Sequence, residues 1–86
     1  MKISVELTLT PLQDQYEPAI IAFIKSLRDS ELTVLENPLS TQIFGEYDTV
    51  MEILNKEMKI ALEVIDAGLM YIKIVKTDRS DYEPHF

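Results

Sequence analysis

The chain has 86 residues, 47% of them hydrophobic, and 15 acidic against 8 basic side chains give a formal net charge of -7. That length carries one hydrophobic core, hence one domain over residues 1–86, with a polar tail from about residue 78. The acidic balance disfavours nucleic acid and anionic membrane surfaces as partners, and the lack of cysteine excludes disulfides and thiolate metal sites.

No apolar run approaches the roughly 18 residues that span a bilayer. The opening MKISVELTLT alternates where a secretory signal would show a continuous apolar stretch, so the expected location is the cytoplasm. A core this small is only marginally stable alone. With neither disulfide nor metal to help, self-association is the expected compensation.

The first element is a strand. Ile3, Val5, Leu7 and Leu9 alternate with Ser4, Glu6, Thr8 and Thr10, which gives one apolar and one polar face. The apolar face calls for a covering layer. The polar face carries the carboxylate of Glu6 at mid-strand, and we read that face as one that binds something or meets another subunit.

After Pro11 and a polar connection, Ile20, Ile21, Phe23, Ile24 and Leu27 recur at helical spacing. Asp14 with Glu17, or Pro18 at the first helical position, marks the start, and the helix is expected to end near Asp29–Ser30. Leu32–Leu35 has the composition of an edge strand. Asn37-Pro38 marks a turn, and Leu39–Tyr47 reads as a further strand with Thr41 and Ile43 on one face and Gln42 and Phe44 on the other. Alternation does not say which of these faces meets the core. Gly45 is expected to end that strand or to mark a bulge.

Asp48 or Thr49 is expected to cap a second helix, Thr49 with Glu52 having capping-box spacing. Its stripe is Met51, Leu54, Met58, Leu62 and Ile65, widened by Val50, Ala61 and Val64. Gly68 is expected just past the helix in a left-handed conformation. The last strand, from Leu69 or Met70 to Lys76, turns Met70, Ile72 and Ile74 inward and Tyr71, Lys73 and Val75 outward.

Strand, helix, strand, strand, helix, strand is the α+β ferredoxin-like βαββαβ order: a four-stranded antiparallel sheet with both helices on one face. Right-handed crossovers place the first and third strands in the middle. Glu6 then lies near the centre of the uncovered face. The expected core joins Ile20, Phe23, Ile24, Leu27, Leu54, Met58, Leu62 and Ile65 to Ile3, Val5, Leu7, Ile72 and Ile74.

Enzyme signatures are missing. There is no Gly-rich loop, no HExxH and no carboxylate loop of calcium-binding spacing, and the single histidine is His85. Glu6 is the residue best suited to pair with a cationic ligand, and equally able to form an intersubunit salt bridge. Tyr16, Phe44 and Tyr71 offer flat faces for a ring or cation, while Phe44 also suits the core. Thr8, Ser40 and Thr41 can orient an amine or hydroxyl. Lys73 reads either as a ligand contact or as a lysine that guards a sheet edge.

The segments ISVELTLTPL, STQIFGEYDTVMEIL and YIKIVKTDRSD, in this order and spacing, resemble the small thiamine-binding protein family from Ile3 to about Asp81. The resemblance implies a non-enzymatic, ferredoxin-like binder of thiamine or its hydroxymethylpyrimidine part, linked to salvage or transport. It also implies association through the sheet as a dimer or tetramer. By that pattern, Glu6, Thr8, Ser40, Thr41, Tyr71 and Lys73 form the ligand surface; Phe44 is added to the candidate site for its aromatic face alone. No metal or bound cofactor is implied; the expected ligand is a small heteroaromatic cation. The other class is a structural or regulatory homo-oligomer whose sheet face is consumed by packing.

Overall fold

The alternation at the start of the chain becomes β1, Lys2–Pro11, with Ile3, Val5, Leu7 and Leu9 all buried. The computed structural model describes residues 1–86. The elements that follow are α1 (Glu17–Arg28), β2 (Thr33–Glu36), β3 (Thr41–Glu46), α2 (Tyr47–Glu63) and β4 (Gly68–Lys76). The strands form one antiparallel sheet in the order β2-β3-β1-β4. This is the ferredoxin-like βαββαβ fold, with β1 and β3 in the middle.

Phe23 and Leu27 of α1 and Val50, Leu54 and Ala61 of α2 pack with the apolar side of β1 and with Ile43 in a single core. Both helices therefore cover the same face of the sheet. Burial at about 25 cal/mol per Å² of apolar surface is the main force holding these layers together. Direct pairing of Leu7 with Thr41 and of Val5 with Ile43 puts Thr41 and Ile43 on the helix side. Gln42, Phe44 and Glu46 share the open side with Glu6, Ser4 and Lys2.

Several local expectations are corrected. Helix α1 begins at Glu17 with Pro18 in its first turn, and Asp14 takes no part in its cap. Helix α2 begins at Tyr47, ahead of Thr49, and no side chain caps it; the extended backbone of Glu46 turns straight from β3 into the helix. Gly45 lies inside β3, paired with Ile3. A Cβ there would sit 3.1 Å from Leu32 Cδ2 and 3.4 Å from Val50 Cγ2, so the glycine lets the first turn of α2 and Leu32 close over the strand.

Gly68 has no left-handed backbone. It opens β4 opposite Pro11, and an added Cβ would meet the Thr10 carbonyl oxygen at 2.7 Å and Pro11 Cα at 3.0 Å. Close strand approach is what calls for the glycine here, not helix termination.

The larger correction concerns β4. Met70, Ile72 and Ile74 do point to the helix side, as their pairing with Leu9, Leu7 and Val5 requires. Yet Ile72 is 37% and Ile74 49% exposed, because the helices pack over β1, β2 and β3 and leave β4 beyond their reach. Leu62, expected in the core, is 41% exposed for the same reason. The buried stripe of α2 runs through Val50, Leu54 and Ala61.

Candidate functional site

The open face of the sheet is not bare. Where β4 ends, the chain turns at Thr77, whose φ of 101° is the one positive value outside glycine. A β-branched residue in that region costs about 1–3 kcal/mol, offset here by local hydrogen bonds. The Thr77 amide donates to the Lys2 carbonyl at 3.0 Å. Ser4 Oγ donates to the Thr77 carbonyl at 2.7 Å and accepts from the Arg79 amide at 2.8 Å. Ser4 is thereby 7% exposed, and the tail is held against the open face.

The tail converts a flat sheet into a concave site. Floor and walls come from Ser4, Glu6, Gln42, Phe44, Lys73 and Val75, with Arg79 and Tyr82 supplied by the tail, around a cavity of about 440 Å³. That volume lies in the range of small-molecule sites. Phe44 faces this side of the sheet and is nonetheless only 4% exposed, so it belongs to the cavity's apolar wall and not to the helix-side core.

Glu6 sits at the centre, half-buried on β1, between Gln42 of β3 and Lys73 of β4 in the register of the sheet. Its Oε2 accepts from Ser40 Oγ at 3.0 Å and from Gln42 Nε2 at 3.3 Å. No protein donor within hydrogen-bond reach occupies Oε1. Ser40 is aimed by the turn that the Asn-Pro pair announces: Asn37 Oδ1 accepts from the amides of Leu39 at 2.8 Å and Ser40 at 2.9 Å. Asn37 Nδ2 also donates to Ser40 Oγ at 3.3 Å. A chain of neutral donors thus orients one carboxylate oxygen and leaves the other free for an incoming donor.

Of the residues singled out in the sequence, Glu6, Phe44 and Lys73 meet in this cavity, and Ser40 joins them through Glu6. Thr8 and Tyr71 pair with each other farther along the same face, with Tyr71 70% exposed and Thr8 Oγ1 donating to the Leu39 carbonyl. Thr41 is 5% exposed on the opposite, helix-facing side. Tyr16 is exposed at the start of α1 and lines no part of the cavity.

The residues the sequence reading left out are Ser4, Gln42, Arg79 and Tyr82. The alternation of β1 already placed Ser4 beside Glu6, whereas nothing in the tail's composition told that it folds back. No group of three His, Cys, Asp or Glu gathers to hold a metal. The cavity lining includes neither histidine nor cysteine.

Residues 5–86 match the family model described as thiamine-binding protein. The chain belongs to the thiamine-binding protein family. That family consists of binding proteins and not enzymes. The chain is similar to a Streptococcus pneumoniae protein of known crystal structure, with 29% identity over 91% of this chain and 89% of that one and a TM-score of 0.84. It is also similar in fold to a candidate thiamine biosynthesis or salvage protein of Thermotoga maritima, at 14% identity, a TM-score of 0.80 and coverage of 90% and 85%. A hypothetical protein of Methanocaldococcus jannascii shares the fold at 21% identity and a TM-score of 0.73, covering 95% of this chain and 84% of its own. No curated protein sequence matches the chain.

Proposed function

We propose that the open-face cavity binds thiamine or a thiamine-related aminopyrimidine without turning it over, in salvage or transport of that molecule. The observation that carries this reading is the Glu6 carboxylate, fixed by Ser40 and Gln42 through one oxygen and free at the other. An exocyclic amine or a protonated ring nitrogen is the complement of such an acceptor. Phe44 and Tyr82 give the cavity aromatic walls suited to a flat heterocycle. Membership of the thiamine-binding family agrees with that chemistry.

Glu6→Gln keeps the shape and removes the charge. In isothermal titration with thiamine and with hydroxymethylpyrimidine, the change is expected to lose about 1.5–3 kcal/mol of binding. Circular dichroism serves as the folding control. Equal affinities for the two proteins would remove Glu6 from the site, and no binding of either compound at millimolar concentration would reject the reading.

A second reading, a homo-oligomer that assembles through the sheet, is favoured by a separate observation. Ile72 and Ile74 expose apolar surface beside the free edge of β4. This surface lies on the opposite side of the sheet from the cavity, so assembly and ligand binding are compatible. No helix is long and apolar enough to cross a membrane.

A further inference from the structure

The cavity holds more cation than an amine-binding site needs. Lys73 stands on β4 directly beside Glu6, and Arg79 reaches in from the tail. Neither makes an ion pair: the pairs in the molecule are Met1–Glu46, Arg28–Glu36 and Lys56–Glu57. Arg79 uses Nε to donate to Thr77 Oγ1 at 3.2 Å, which leaves the outer edge of its guanidinium free. In a chain with only 8 basic residues and a net charge of -7, two unpaired cations on one small cavity stand against the overall charge balance.

We infer that the ligand carries an anionic group as well as an amine, and that the cavity prefers the phosphomonoester of the aminopyrimidine to the free alcohol. This inference rests on the aminopyrimidine reading above and deepens it. The geometry separates two ends. Glu6 and Ser4 lie two residues apart on one face of β1, about 7 Å along the strand. Glu6 marks the amine end, and Ser4, to which the Arg79 amide is tied, marks the anion end; Lys73, level with Glu6 in the register, serves the anion through its long flexible stem. A single ring with one phosphorylated hydroxymethyl arm spans a distance of that order.

Arginine meets a phosphate with two parallel N–H donors, and lysine adds a point charge. The acidic residues nearest in sequence do not oppose them. Asp78 accepts from the Ser80 amide at 2.9 Å, and neither Asp78 nor Asp81 lines the cavity. Repulsion from the remaining net charge is screened beyond about 10 Å at 0.1 M salt.

The test is a comparison of dissociation constants for hydroxymethylpyrimidine, its monophosphate and inorganic phosphate, by isothermal titration with the full chain. The monophosphate is expected to bind about tenfold or more tighter than the alcohol, as one added charge-assisted contact implies. Arg79→Gln and Lys73→Gln should each shrink that ratio severalfold, and the double variant should bring it close to one. Because the tail is tied through the Arg79 main chain, circular dichroism and thermal melting report whether the variants remain folded.

If the alcohol binds and the monophosphate binds no better, this inference fails while the aminopyrimidine reading stands. A preference that survives in the double variant also overturns it. So does inorganic phosphate binding as tightly as the monophosphate, which would indicate an anion site that ignores the ring. If neither pyrimidine binds, both readings fall together.

Discussion

Leu54 and Leu62 show how much position along one helix decides. Both belong to the apolar periodicity of α2, yet Leu54 is 1% exposed and Leu62 41%. Leu54→Ala leaves a cavity between helix and sheet and is expected to cost about 2–5 kcal/mol. Leu62→Ala should cost less than about 1 kcal/mol, since its side chain already meets solvent. Urea unfolding of the two variants with unchanged denaturant slopes gives the comparison, and equal losses would contradict the placement of α2. Gly68→Ala belongs at this scale as well. Its Cβ would press on the Thr10 carbonyl oxygen and Pro11 Cα, both backbone atoms that cannot swing away. We expect a loss of about 1–3 kcal/mol in the same assay. Gly68 was legible in the sequence as a special position, but for the wrong reason. A glycine after a helix suggests a left-handed cap, whereas its true constraint comes from a strand more than fifty residues away.

Whole elements were easier to read than their ends, because periodicity sums over many residues while a cap depends on one. The four strands and two helices follow from alternation and helical spacing, and the parity of β4 was legible too. Which face of β3 meets the core was not, since Ile43 and Phe44 are both apolar and both buried. Only the register of β3 against β1 separates them. The candidate site was half legible for the same reason. Glu6 stands out as a charge within a packing strand, while Arg79 and Tyr82 reach it through a tail fold that Ser4 dictates. Between elements, the end of α1 is fixed to β2 by Arg28, whose Nε and Nη2 both donate to the Glu36 carboxylate, the latter at 2.7 Å. The hydrogen bonds and charge of Arg28 hold the Glu36 pKa below the ordinary glutamate value. A lowered folded-state pKa means stability that is fully present above the unfolded value and lost as pH falls through the lowered one. Wild type should therefore melt above Glu36→Gln at neutral pH, with the gap narrowing below about pH 4 and closing beneath the pKa of Glu36. Thermal melts across pH test this, and a gap that persists in strong acid would assign the effect to packing. Because the pair is exposed, the gap should also shrink in 1 M salt, where screening acts over about 3 Å.

At the scale of the whole molecule, the sheet is wider than the helical layer that covers it. Two helices suffice for β1, β2 and β3, and β4 extends past them as a nine-residue edge with one side of its backbone unpaired. An edge of that length, with Ile72 and Ile74 exposed beside it, is open to pairing with another strand. Lys73 and Lys76 are the charged residues that β4 sets against such pairing, and Lys73 points to the other side, towards the cavity. We propose that its occupant is a second β4, antiparallel about a two-fold axis. This arrangement would continue the sheet and bring the isoleucines of both copies together beyond the helical layer. Identical subunits favour such closed, even-numbered assemblies. Light scattering across a dilution series is expected to report twice or four times the 9.9 kDa chain mass. Ile74→Glu should shift it to the mass of one chain, because pairing would bury a carboxylate against apolar neighbours. Since Ile74 is half exposed and lies across the sheet from the cavity, the variant should remain folded and still bind the ligand that wild type binds. A wild type that stays monomeric at high micromolar concentration would rule out assembly through β4. Loss of binding together with the shift to monomer would show that the cavity needs the neighbouring copy to be complete.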